Sequence, residues 1–264
     1  MPSPTEISVV QLSRIIGLPG APALVDVRPC DGGGSGRHVL PTARSMKSQT
    51  VATWAHDFSG RRVIVYCGDG GDVGQGTAAW LRHAGIDAQT LEGGFEAWRK
   101  AGQPLLCTDR LPQRDEAGRT TWVTRARPKI IRIACPWLIR RFIDPTAVFL
   151  YVAPSEVAAV AKRFMATPFD SGEGIWNDRG DACTFDVMLA EFNLKTEPLL
   201  HVAAIIRGAD TGRPDLTPQS GGLLAISLGY SRMFRDDVAL LDATLPVYDA
   251  LYRWCRDGTE ETHG

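Results

Sequence analysis

The first 106 residues alternate short β-prone runs with helical patterns, and that alternation narrows the fold more than any other feature of the chain. "ALVDVR" (Ala23 to Arg28), "RVIVYC" (Arg62 to Cys67) and "DAQTLEG" (Asp87 to Gly93) are strand-length runs. Between and around them, "ISVVQLSRII", "VATWAHDF", "GTAAWLRHAG" and "GFEAWRKAG" carry helical spacing, the last two stopped at Gly85 and Gly102. Strands apolar on both sides and separated by helices predict an α/β fold: a parallel sheet with helices on both faces. In such sheets function gathers at the carboxyl ends of strands, and Cys67 closes one of them.

The loop after that strand reads "CGDGGDVGQG", with Gly68, Gly70, Gly71, Gly74 and Gly76 ahead of a helix expected to open at Thr77. A thiol attacks as its thiolate. Glycines let backbone N–H groups curl toward the sulfur, and a helix N-terminus behind them adds positive potential. The layout therefore suits a cradle for a sulfur anion, although a buried strand-end cysteine beside a turn would give the same letters. Asp69, Asp72 and Val73 complete the loop, which holds no basic residue. Carboxylates beside a thiolate disfavour it and repel anionic donors. Arg82 and His83 fall on the solvated face of the following helix.

Net charge is -1 and 44% of residues are hydrophobic, so the chain can bury real cores and offers no broad basic face to nucleic acid. No stretch is apolar enough to span a bilayer, and "MPSPTEISVV" lacks the pattern of a secretory signal. The six cysteines form no C-x-x-C pair, so a cytoplasmic location without a disulfide framework is expected. "DGGGSG" (Asp31 to Gly36) reads as a flexible loop. Residues 107–126 are polar and read as a linker, with a short strand at Thr120 to Thr124.

Residues 127–257 read as a helix-rich α/β (α+β) domain. "CPWLIRRFID" starts a helix with Pro136 early, "AVFLYV" is a strand, and Ser155 is a candidate N-cap for "EVAAVAKRFM". Four more helical patterns follow. Arg132, Arg140 and Arg141 lie close together, and Arg207, Asp210, Thr211 and Arg213 form a second polar group. Guanidinium groups and helix N-termini suit an anion, and if the two groups meet they make an anion pocket with Cys135 at its edge. Taken singly, each arginine also fits a solvated helix face. Cys183, Asp186, Asp170 and Asp178 have metal-ligand chemistry in principle. His201 fits a helix face, and Trp137, Trp176 and Trp254 fit a core or a pocket wall.

Residues 5–106 resemble a rhodanese-like domain. The resemblance rests on "LVDVR", on "VIVYC" with its glycine loop, and on "AAWLRHAGI" and "LEGGFEAW" in that order. It implies that Cys67 carries sulfane sulfur as a persulfide and passes it to a thiol acceptor such as glutathione, with no cofactor. It implies a supporting role for Asp26 and Arg28 and, with an acidic loop in place of the family's basic one, weak use of thiosulfate or a neutral or protein-bound donor. Residues 127–256 resemble the C-terminal domain of the chromate-resistance protein ChrB, through "RPKIIRIACPWLIRRFIDPTAVFLYV", "GDACTFDVMLAEF", "IIRGADTGRPDLTPQSGGLLAISLG" and "YDALYRWCR". That resemblance implies a part in chromate resistance, with chromate or another oxyanion as a partner. The family pattern places a histidine ahead of C-T-F-D, and "WNDRGDACTFD" has none. A rhodanese-type sulfurtransferase is the expected function. The alternative is a chromate-responsive binding or regulatory protein whose rhodanese-like module is not catalytic. DNA binding is not expected, because no basic recognition helix is present.

Overall fold

The computed structural model describes residues 4–29, 38–172 and 174–261. The "DGGGSG" segment lies outside the described residues. The chain forms two compact units, Met1–Asp109 with Arg141–Ile143, and Arg110–Arg140 with Asp144–Gly264.

The first unit contains β1 (Glu6–Ile7), α1 (Val9–Ser13), β2 (Ala23–Asp26), β3 (His38–Val39), β4 (Arg44–Ser45), α2 (Val51–Trp54), β5 (Val63–Tyr66), α3 (Asp72–His83), β6 (Ala88–Leu91), α4 (Gly94–Lys100) and β7 (Leu106–Cys107). Its main sheet has the order β1-β6-β5-β2-β4 and is parallel throughout. The central strand β5 pairs Val63 to Tyr66 with Ala23 to Asp26 on one side, and Val63 to Val65 with Ala88 to Thr90 on the other. All four of its residues are buried, which is why it reads as a continuous apolar run. Val63, Val65 and Cys67 pack with Val25, Val27, Trp54, Phe58, Ala78 and Leu81. Ile64 and Tyr66 alternate to the other face.

Two sequence expectations are corrected here. The segment "ISVVQLSRII" is not helical from its start. Ile7 belongs to the edge strand β1, and Ser8 opens α1 through a capping box with Gln11. Helix α3 begins at Asp72, five residues before Thr77. Gly74 and Gly76 therefore lie inside the helix, not in the loop.

The second unit contains β8 (Thr121–Arg125), α5 (Ile131–Leu138), β9 (Val148–Val152), α6 (Val157–Phe164), β10 (Thr167–Pro168), α7 (Thr184–Glu191), α8 (Glu197–Asp210), α9 (Ser220–Met233) and α10 (Asp237–Asp257). Its parallel sheet has the order β10-β8-β9. The strand expected at Thr120 to Thr124 is present as β8, and it is the middle strand of this sheet, with Trp122 and Val123 fully buried. Thr120, just before the strand, is satisfied inside, whereas the buried Thr124 hydroxyl has no hydrogen-bond partner among the described residues. Asp144 Oδ2 accepts from the Thr120 N–H at 2.6 Å and the Thr120 hydroxyl at 2.8 Å. Trp122 meets Phe169 edge-on, and Trp176 stacks on Phe192 at 4.8 Å.

Pro136 is inside α5, not at its start. A proline there leaves the carbonyl four residues back without its helical donor. That carbonyl belongs to Arg132, and the Tyr151 hydroxyl donates to it at 3.0 Å. A π-helical turn (Ile139–Ile143) follows α5. Ser155 does not cap α6. It sits in a 3-10 turn, and its hydroxyl reaches Glu156 Oε1 at 3.5 Å. Among the described residues, no helix is long and apolar enough to cross a membrane.

Candidate functional site

Cys67 leaves the carboxyl end of β5 with its sulfur against the first turn of α3. A Cβ built on Gly74 would stand 3.2 Å from Sγ, so the sulfur occupies the space that a side chain there would need. The helix N-terminus behind the sulfur is present as expected from the glycine loop. The cradle of N–H groups is not: among the described residues no loop N–H donates to Sγ. The thiol points instead toward Asp69 Oδ1 at 3.7 Å and the Gly71 carbonyl at 3.9 Å. The Gly71 N–H donates to Asp69 Oδ1 at 3.0 Å, and the Val73 N–H to Asp72 Oδ1 at 2.9 Å. The two carboxylates thus take up N–H groups that would otherwise be free for the sulfur. The Gly71 N–H is the main reason that the Asp69 carboxyl is held below its ordinary range.

The loop is anchored from behind. Phe95 N–H donates to the Cys67 carbonyl and Glu96 N–H to the Gly68 carbonyl, each at 2.9 Å. These are first-turn donors of α4, which would otherwise lack partners. The approach is backbone to backbone. A Cβ on Gly94 (φ +58°) would stand 2.6 Å from both the Cys67 oxygen and the Gly70 nitrogen. The "EGG" signature therefore has a physical role: its second glycine lets the loop lie on the helix.

Asp26 is buried and takes a forked ion pair from Arg28, with Nε to Oδ1 at 2.9 Å and Nη2 to Oδ2 at 2.7 Å. Arg28 also donates to the His38 carbonyl at 2.8 Å and covers the Phe95 ring at 3.8 Å. Its charge is thus taken up in tying the end of β2 to the surroundings of the loop.

A cleft of about 290 Å³ opens beside the loop, between Val27–Pro29, Met46–Gln49 and Val73. Val27 and Met46 pack in the same apolar cluster as Cys67, which is itself only 5% exposed. Lys47 and Ser48 went unnoticed in the sequence. They lie 19 or more positions before Cys67, outside any motif, and reach the site because β4 pairs with β2.

In the second unit three of the arginines expected to hold an anion are paired with carboxylates. Arg132 lies 3.3 Å from Asp170 Oδ2, a carboxylate that Arg125 also holds at 3.2 Å. Arg140 pairs with Asp242 at 2.7 Å and covers Phe149. Arg207 pairs with Asp186 at 2.7 Å. Arg141 is on the π-helical turn. Each of Arg132, Arg140 and Arg207 is therefore already matched by a carboxylate. Around Arg132 the surroundings are acidic. Burial, then Asp170 and Asp178, push the Asp210 carboxyl up to about 6. Cys135 is not at an edge but fully buried, and burial pushes its thiol well up, so it is no thiolate.

Of the candidate metal ligands, Asp170 is held by arginines, and Cys183, Asp186 and Asp178 cap the start of α7. Cys183 Sγ lies 3.1 Å from Asp186 Oδ2, and the same oxygen accepts the Cys183 N–H at 3.0 Å. Asp178 Oδ1 accepts both the N–H and the hydroxyl of Thr184 at 2.8 Å. Among the described residues, no group of three or more His, Cys, Asp or Glu is placed to hold a metal. A cleft of about 210 Å³ is bordered by Asp178, Cys183, Arg207, Thr211 and Arg213, so the second arginine group does face an opening. His201 packs beside Trp254 at 5.3 Å.

Comparison with known proteins agrees with this division. The rhodanese-like domain matches residues 8–101, and the ChrB C-terminal domain matches residues 122–255, just over half of the chain. Protein ChrB of Cupriavidus metallidurans is 34% identical over 155 residues, covering 57% of this chain and 46% of that protein. The chain thus matches about half the length of this curated relative. Among solved structures, a rhodanese-like domain protein from Staphylococcus aureus is 24% identical and covers 36% of this chain and 90% of its own, with a TM-score of 0.32. A thiosulfate sulfurtransferase from Pseudomonas aeruginosa is 20% identical and covers 42% of this chain and 21% of its own, with a TM-score of 0.36. The chain belongs to the ChrB C-terminal domain family and carries a rhodanese-like domain ahead of that domain.

Proposed function

We propose that the protein is a rhodanese-type sulfurtransferase that moves sulfane sulfur through a Cys67 persulfide, in a chain tied by its second domain to chromate resistance. The observation that carries this reading is the seat of Cys67: the carboxyl end of the central parallel strand, with the first turn of a 12-residue helix against its sulfur. The Cys67 thiolate attacks the outer sulfur of a persulfide. The new Cys67 S–S bond forms as the donor S–S bond breaks, and the donor thiolate leaves with the electron pair. An acceptor thiolate, or cyanide in an assay, then takes the outer sulfur and restores the Cys67 thiolate. The positive end of α3 stabilises the charge in both steps.

A second reading has its own support. The thiol points at a carboxylate and receives no N–H among the described residues, and Cys67 is 5% exposed. That favours a module that has lost turnover, within a chromate-responsive binding protein.

Sulfur transfer to cyanide, from thiosulfate and separately from an organic persulfide, separates the two. Turnover that disappears in Cys67→Ser is the expected result. No turnover in the parent protein with either donor leaves the binding reading in place. Chromate-dependent thermal stabilisation would then be the next observation to seek.

A further inference from the structure

We infer that the cleft beside the Cys67 loop selects the sulfur donor through Lys47, and that the preferred donor is an organic persulfide whose carboxylate lies several bonds away from its sulfane sulfur. This rests on the sulfurtransferase reading of Cys67.

Among the described residues two cationic side chains line the cleft, Arg28 and Lys47. Arg28 is consumed by Asp26 and the His38 carbonyl. Lys47 is exposed, and its ammonium carries no ion pair among the described residues. Its backbone is held in place, because the Lys47 carbonyl accepts from Trp54 Nε1 at 2.9 Å and from the Thr50 N–H at 3.1 Å. The cleft thus offers one unpaired positive charge from a fixed backbone. Ser48 and Gln49 add neutral polar groups, and the walls at Val27, Met46 and Val73 are apolar. An apolar pocket with a few convergent polar groups suits a ligand with a hydrocarbon stem and one anionic end. At about 290 Å³ it lies near the small end of ordinary ligand sites.

The sulfur end of the site has the opposite sign. Asp69 stands 3.7 Å from Sγ and its carboxyl is held low by the Gly71 N–H, so it is ionised at neutral pH. In thiosulfate the anionic oxygens sit on the atom bonded to the sulfane sulfur. Bringing that sulfur to Cys67 therefore brings the charge to Asp69. In a persulfide with a distant carboxylate, the fixed charge can rest at Lys47 while the sulfur reaches Cys67. Val27 and Met46, which line the cleft, pack in the same apolar cluster as Cys67, so the cleft wall and the thiol are neighbours.

The test uses the full chain and three donors: the persulfide of 3-mercaptopropionate, the persulfide of its methyl ester, and thiosulfate. The parent protein should prefer the acid persulfide to the ester. In Lys47→Gln the KM for the acid should rise roughly three- to fivefold, the scale of an exposed charge pair, with kcat unchanged. The ester should not distinguish the two proteins, Lys47→Arg should restore the acid KM, and the preference should shrink at high salt. Cys67-dependent turnover in which acid and ester are handled alike by the parent and Lys47→Gln overturns the inference and leaves the sulfurtransferase reading intact. Absence of Cys67-dependent turnover with all three donors overturns both.

Discussion

Gly94→Ala is the sharpest test of how the loop is held. The substitution puts a methyl group where no side-chain rotation can relieve it. Its Cβ would lie 2.6 Å from the Cys67 oxygen, 2.6 Å from the Gly70 nitrogen and 3.0 Å from the Gly68 oxygen. All three are backbone atoms, so relief requires the loop and α4 to part. Parting weakens the hydrogen bonds from Phe95 and Glu96, each with a net value of about 1 kcal/mol. The left-handed φ of +58° adds about 1–2 kcal/mol for an alanine. The combined cost is about 3–4 kcal/mol. For a unit of this size, that lowers Tm by roughly 12–20 °C. Circular dichroism melts of the full chain would show it as an earlier first transition. Peptide-resolved alkylation would show Cys67 reacting faster at a temperature where the unit is still folded. Gly76→Ala is the control. Its Cβ meets nothing within 4 Å inside α3, so it should leave stability unchanged or raise it by up to about 1 kcal/mol. A Gly94→Ala protein that melts within about 2 °C of the parent would refute the backbone-to-backbone account.

Asp69→Asn should raise thiosulfate turnover severalfold, because it removes the carboxylate 3.7 Å from the sulfur, and Asp72→Asn should do less; equal rates in all three proteins would show that loop charge does not govern the donor. Asp144→Ala should destabilise the second unit by about 3–5 kcal/mol in urea unfolding, since Thr120 and Thr146 each lose two hydrogen bonds to it and Arg114 loses its ion pair. A loss below about 1 kcal/mol would contradict that network. Asp210 has a folded pKa of about 6 against an ordinary 3.8, so its favourable contribution is complete below pH 3.8 and lost as pH rises through 6. Asp210→Asn should therefore flatten the stability profile between those values and exceed the parent in stability at pH 7; an unchanged slope would place the titration elsewhere.

Much of the first unit was legible because its signals are local. A fully buried parallel strand is a continuous apolar run, so β2 and β5 could be read directly, and Cys67 was placed at a strand end by the same run. The start of α3 was not legible. Glycines at 74 and 76 look like loop, and only the packed sulfur of Cys67 shows why a glycine at 74 belongs in the helix. The strand that forms β8 was legible, but its place in the middle of a sheet was not. Thr120 looks solvated until Asp144, 24 residues away, supplies its acceptor, and Arg125 until Asp170, 45 residues away, does the same.

The charged groups show the limit most clearly. The sequence by itself determined the helix-rich second half, the parallel first half and the position of the one thiol that ends a central strand. It also placed arginines in two clusters. Only the tertiary structure decided that Arg140 meets Asp242, 102 residues away, and that Arg207 meets Asp186, 21 residues away. It likewise left Lys47 without a carboxylate among the described residues. Periodicity and turn chemistry act over a few residues and leave their mark in the letters. Ion pairing is chosen by which surfaces the fold brings together, and no local pattern of residues encodes that choice.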